Sequence, residues 1–333
     1  MRVSRSWRWL TAGAVAFVAA GALGLTATAG AQTTASQPLR IVIGYAAGGT
    51  TDILARSLAE QLARILGTSV IIENKAGAAG NIAAAYVEQA RPDGQVLFMA
   101  TLASHGINPA LYKERLGYDP VKGFEPVSMV ASIPMILVVN PKASFRTVPE
   151  LVDYARKNPG KLNYASSGNG SPVHLAGAMF ADAAKVDMVH IPFKGGALAN
   201  TSVMSGDTDL TFASMPAAMP QVHAGKLVAL AVTTRARSPV LPDVPSVEEA
   251  APAPGYDINT WDALLAPRGT PPDVIARLNA AVAQALKSPE LIRRFEGEGA
   301  TPMSSTPAAL GAYIQEELLK WAAVIARTPI KAD

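Results

Sequence analysis

Short apolar runs alternate with longer amphipathic stretches along most of the chain. Residues 39–43 (LRIVI) read as a strand. Residues 51–66 read as a helix with Leu54, Leu58, Leu62 and Ile65 on one face, ended by Gly67. Strand 70–73, helix 80–90, a turn at 91–94 and strand 96–100 complete a β-α-β-α-β unit, which implies a parallel sheet covered by helices. The order returns with strand 136–139 and a helix from Thr147, which has capping-box spacing to Glu150. Strands 162–165, 188–192, 209–213 and 227–232 then alternate with helices 172–183, 197–205 and 216–224. The proline-rich stretch 231–259 reads as loop, and the remainder as helical, with stripes Val274–Leu278–Val282–Leu286 and Leu310–Ile314–Trp321–Ile325. Two α/β lobes joined by two crossings, one in this loop and one near Ile133-Pro134, would set a cleft at the carboxyl ends of both sheets.

The N-terminus departs from this pattern. Arg2, Arg5 and Arg8 precede an uncharged stretch of about sixteen residues, short for a span of roughly twenty. Ala29-Gly30-Ala31 follows as a small-x-small cleavage site. Residues 1–31 are therefore expected to be a signal peptide, and the exported chain to be periplasmic. Without them the net charge of +3 vanishes, leaving 26 basic against 26 acidic residues. No basic run remains for a nucleic-acid backbone. The absence of Cys rules out disulfides, thiolate metal sites, thiol catalysis and a lipidated N-terminus.

Chemistry concentrates in four glycine-rich connections: 44–52 (GYAAGGTTD), 74–81 (NKAGAAGN), 166–171 (SSGNGS) and 194–197 (KGGA). Each joins a strand to a helix, where backbone amides and the helix dipole hold an anion without a cationic side chain. Asp52 either caps its helix or touches ligand, and His174 either bonds a carboxylate or is satisfied internally. His105, His190 and His223 lack metal-site spacing, and neither H-E-x-x-H nor G-x-S-x-G occurs. A dehydrogenase is disfavoured because G-x-G-x-x-G is missing and Asp52 would repel a pyrophosphate. No metal and no cofactor is expected.

The segments AAGGTTDILAR (46–56), NKAGAAGNIAA (74–84), NPALY (108–112), FEPVSMVASIP (124–134), YASSGNGSPVHLAG (164–177), HIPFKGG (190–196), LPDVPSVEEA (241–250), LLAPRGTPP (264–272) and LIRRFEGEGATP (291–302) carry a resemblance. The chain resembles the Bug-type receptors of tripartite tricarboxylate transporters from end to end. That resemblance implies an α/β, two-lobed type II periplasmic-binding-protein fold, each lobe a mostly parallel sheet flanked by helices. It implies a non-enzymatic monomer that closes on a small carboxylate and delivers it to membrane subunits; a sensor of the same fold signalling to a membrane kinase is the alternative. The expected division is a first lobe of residues 32–131 and 264–333 around a second of 132–263. Carried over residue by residue, first-lobe ligand contacts fall on Ala47, Gly48, Gly49, Thr50, Asp52, Ala78, Ala79, Gly80, Thr101 and Ser104. Second-lobe contacts fall on Ser166, Ser167, Gly170, Ser171, His174, Phe193, Gly195 and Gly196. Asp209 matches a recurrent acidic position whose role stays open. Gly44-Tyr45, Ala47 and Phe193 depart from residues common in the family, so the ligand's identity is not implied.

Overall fold

A computed structural model describes residues 37–251 and 253–327. The expected signal at residues 1–31 lies outside the described residues. The chain begins with β1 (Leu39–Ile43), α1 (Thr50–Leu66), β2 (Val70–Asn74), a 3-10 turn (Ala78–Gly80), α2 (Asn81–Glu88) and β3 (Val96–Thr101). A π-helical turn (Ala103–Ile107) and α3 (Asn108–Tyr112) lead to β4 (Phe124–Val139). Next come α4 (Val148–Lys157), β5 (Asn163–Ser166), α5 (Pro172–Ala184), β6 (Val189–Pro192), α6 (Gly196–Ser205), β7 (Leu210–Ser214), α7 (Met215–His223) and β8 (Val228–Val232). The chain ends with α8 (Val247–Ala250), β9 (Asn259–Pro267), α9 (Pro272–Ala285), α10 (Pro289–Gly297), β10 (Thr301–Pro302) and α11 (Pro307–Arg327).

Two sheets share one strand. In the first sheet β1 pairs in parallel with β2 and β3, while β9 runs antiparallel to both β3 and β4. In the second, β5 pairs in parallel with β6 and β7, and β4 runs antiparallel to β7 and β8. β4 faces β9 from Phe124 to Pro134 and changes partners at Met135, where β7 begins to pair. The expected division at 263/264 falls inside β9, all of whose pairing is with the first sheet.

Both sheets are covered on both faces, which explains why their strands read as unbroken apolar runs. Val42 and Phe98 pack with Ala83, Ala84 and Val87 of α2. On the opposite face Ile41, Ile43 and Met99 pack with Leu54 and Leu58 of α1 and Leu278 of α9. In the second sheet Leu137, Phe212 and Phe180 join the first of these clusters, while Ile136 and Val138 pack with Ala199, Val203 and Met215. The pattern along the chain missed β9 and residues 124–135 of β4. Pro126 and Pro134 interrupt the alternation of β4, whose register against β9 shifts between Pro126 and Ser128 and again between Met129 and Ala131. β9 reads Asn-Thr-Trp-Asp-Ala-Leu-Leu-Ala-Pro, rich in helix-forming Ala and Leu, and tertiary burial overrides that preference.

The two connections between the sheets are tied together by one side chain. The Thr233 amide donates to the Met135 carbonyl at 2.9 Å, and the Thr233 carbonyl accepts from the Ile258 amide at 3.1 Å. Its hydroxyl accepts from the Met135 amide at 3.1 Å and donates toward the Ile258 carbonyl at 2.6 Å. Thr233 is fully buried. Replacing Thr233 with Val keeps the shape but strands the Met135 amide, so it should lower stability by about 1–3 kcal/mol in urea unfolding. An unchanged midpoint would show that this hydroxyl does not hold the crossing.

Candidate functional site

The first two glycine connections are packed against each other. A Cβ on Gly44 would lie 2.4 Å from the Gly80 Cα, so only glycine allows the backbones to meet there. The second connection turns through Gly77, Ala78, Ala79 and Gly80, all at positive φ. The Tyr45 hydroxyl donates to the Ala79 carbonyl at 3.4 Å and sits 3.5 Å from the Thr101 hydroxyl. Burial pushes the Tyr45 hydroxyl up to about 12, so it keeps its proton.

Asp52 locks the first connection from behind. Its carboxylate accepts from the Gly48 amide at 3.0 Å, from Arg56 at 2.9 and 2.8 Å, and from Asn74 at 3.0 Å. Burial alone would raise this carboxyl; Arg56, Gly48 and Asn74 outweigh it and hold it below its ordinary value. Both oxygens are committed to the loop and to the helix that follows.

A cavity of about 350 Å³ opens between the two sheets. Its first wall carries Tyr45, Ala47, Gly49 and Thr50, backed by Thr101. Its second wall carries Ser167, Gly195 and Gly196, followed by residues of α6 and Ser214. Two helices begin on opposite walls. α1 starts on Gly49 and α6 on Gly195, and neither has a side-chain cap over its first-turn amides. By contrast Thr147 caps α4 and Ser171 caps α5. The Thr50 and Ser214 hydroxyls bridge the walls. Lys194 is the one cationic side chain among the described lining residues.

Of the residues expected at the site, Ala47, Gly49, Thr50, Thr101, Ser167, Gly195 and Gly196 share this lining. The others are not part of that lining. Ala78, Ala79 and Gly80 form the turn that supports Gly44, and Gly48 gives its amide to Asp52. The Ser104 hydroxyl donates to the Thr101 carbonyl and lies 3.0 Å from His105 Nδ1. The Ser166 hydroxyl lies 2.6 Å from His190 Nε2. Ser171 caps α5, and the Gly170 amide donates to His174 Nδ1 at 3.1 Å. His174 stacks on His190 at 3.7 Å; burial first and that neighbour second push it down to about 3, so it is neutral. Phe193 packs against the core beneath α6 and α7. Asp209, whose role was open, accepts the Asn163 amide at 2.8 Å and joins β5 to the chain before β7.

The pattern of glycine loops did not point to Asp262 or Asn200. Asp262 of β9 lines the cavity, is 1% exposed, and stands between Thr101 of β3 and Ala131 of β4. Thr51 donates to its Oδ1 at 3.4 Å, and its Oδ2 has no partner. Asn200 of α6 also lines the cavity; its amide nitrogen donates to the Ala217 carbonyl at 3.0 Å and its Oδ1 has no partner. An acidic residue within an otherwise apolar run such as TWDALLA was the available signal for Asp262. No group of three or more His, Cys, Asp or Glu able to hold a metal occurs among the described residues.

Burial raises the Asp262 carboxyl from 3.8 to about 7, opposed by the Thr51 hydrogen bond. Because the folded value is the higher one, its contribution to stability is full below 3.8 and fades as pH rises through about 7. Asp262→Asn, uncharged at every pH, should match the wild type near pH 4 and exceed it at pH 8 by on the order of 2–4 kcal/mol in urea unfolding. A difference that does not change with pH would contradict this environment for Asp262.

The family model described as "Tripartite tricarboxylate transporter family receptor" matches residues 54–330. Protein BugT of Bordetella pertussis is 31% identical over 308 residues, covering 92% of this chain and 94% of BugT. The solved structure of R. palustris Rpa4515 with adipate is 34% identical, with a TM-score of 0.86 over 89% of this chain and 98% of that one. MatC (Rpa3494) from Rhodopseudomonas palustris with bound malate is 34% identical, with a TM-score of 0.81 over 86% of this chain and 98% of that one. The chain has the α/β, two-lobed periplasmic-binding-protein fold expected from the sequence, and the structure of the periplasmic binding protein BugD matches it with a TM-score of 0.84 over 89% of this chain and 99% of that one, at 34% identity. The chain belongs to the tripartite tricarboxylate transporter receptor family and is a solute-binding receptor, not an enzyme.

Proposed function

We propose that this receptor works in the periplasm as a monomer, capturing a small organic carboxylate in the cavity and presenting it to the membrane subunits of a tripartite tricarboxylate-type transporter. The observation that carries this reading is the pair of glycine-capped helix starts, α1 and α6, on opposite walls of one cavity. Each supplies amide donors and the positive end of a helix dipole, equivalent to roughly half an elementary charge. A carboxylate placed there touches both walls at once, through Gly49 and Thr50 on one side and Gly195 and Gly196 on the other, with Ala47, Thr101 and Ser167 beside it. Adipate and malate in the two solved relatives support an acid as ligand. The export signal read at residues 1–31 supports the periplasm.

Lobe closure follows from the same geometry. We take the parts that close to be residues 37–134 with 259–327, and residues 135–258, a reading supported by the change of β4's strand partners at Met135. A ligand that bonds to both parts stabilises the closed arrangement by contacts it cannot make in an open one. The residues behind the lining, Asp52, Ser104, Ser166, Gly170, Ser171 and His174, hold the loops in shape.

Titration calorimetry of the refolded mature chain against mono- and dicarboxylates, adipate and malate among them, should show saturable one-to-one binding of at least one acid. No binding across the panel would overturn the reading. A Cβ on Gly196 meets nothing within 4 Å, so Gly196→Leu should fold normally and fill the space beside the helix start. The expected result is a loss of at least about tenfold in affinity, on the order of 1.4 kcal/mol, with an unchanged melting temperature.

A further inference from the structure

The cavity wall holds two buried acceptors that the protein itself does not satisfy. Asp262 Oδ2 comes from the first sheet and Asn200 Oδ1 from α6 beside the second. Asp262 is 1% exposed and Asn200 3% exposed, and both line the cavity. The identity of the Asn200 acceptor follows from its neighbour: the Ala217 carbonyl can only accept, so the amide nitrogen faces it and the oxygen is left over. Buried polar atoms without partners are rare in folded proteins, because each carries a desolvation penalty of about 1–3 kcal/mol. A carboxylate ligand brings only acceptors, so it cannot relieve Asn200 Oδ1, nor Asp262 Oδ2 while that group is ionised.

We propose that the ligand is an α-amino acid with an uncharged, apolar side chain, its ammonium group donating to Asp262 and Asn200 while its carboxylate lies on the helix starts. This rests on the carboxylate reading above and adds the second group. The placement suits amino and carboxylate groups on one carbon. Thr51, in the opening turn of α1, donates to Asp262 at 3.4 Å, so the acid acceptor and the α1 amides are one hydrogen bond apart. A charge-assisted bond between ammonium and carboxylate compensates the burial of both ions. The rest of the lining, with Ile133, Met135, Val173, Leu198 and Ala213, offers apolar surface to a side chain, and its one further charge is the exposed Lys194.

Calorimetry with matched pairs tests the proposal: L-leucine against 4-methylpentanoate, and L-phenylalanine against 3-phenylpropionate, with adipate and malate alongside. The wild type should prefer the amino acid of at least one pair by about tenfold or more, because the des-amino acid leaves both acceptors unpaired. Asp262→Asn should abolish that preference while keeping whatever affinity the des-amino acid has, and Asn200→Ala should reduce it. If des-amino or dicarboxylic acids bind and neither amino acid is preferred, the proposal is overturned and the carboxylate reading stands. If no acid binds, both fall.

Discussion

A helix that starts on a glycine leaves its first amide donors without a side-chain acceptor, and α1 and α6 both start this way on facing walls of one cavity. In water those donors would be solvated at little cost. Between apolar walls they are poorly screened, and an anion placed on them is held more strongly than at an exposed helix end. The absence of a Cβ at Gly49 and Gly195 also lets a ligand approach the backbone itself. Recognition of this kind needs no arginine, and Lys194 is the one cation among the described lining residues.

That arrangement depends on the connections behind it. Gly44 and Gly80 bring two loops into backbone contact, Tyr45 reaches across to Ala79, and the Asp52–Arg56–Asn74 group fixes the turn that feeds α1. Further back, β4 runs through both sheets, and Thr233 binds it at Met135 to the returning chain before β9. The two sheets therefore meet along β4 and through the hydrogen bonds of Thr233.

Much of this was legible in the sequence because the elements that build each sheet repeat with clear periods. Leu54, Leu58 and Leu62 lie buried on α1 as their spacing implied, and Thr147 caps α4 through the Glu150 amide at 3.3 Å. β9 and most of β4 were not legible, since prolines and helix-favouring residues disguise strands that burial and pairing enforce. At the site, glycines announced where backbone would be exposed, but not which loops line the cavity and which stand behind it. Asp52, Ser166 and His174 look like ligand groups in one dimension; in three, Asp52 bonds Gly48, Arg56 and Asn74, Ser166 lies against His190, and His174 accepts from Gly170. Asp262 and Asn200 come from elements that share no motif with the glycine loops, and only the fold brings them to the same space.

A crystal structure of the refolded protein with its tightest-binding acid tests the central claim most directly. The account predicts the carboxylate within hydrogen-bonding distance of backbone amides at the starts of both α1 and α6. A carboxylate neutralised by Lys194 alone, or seated outside the cavity between the sheets, would contradict it.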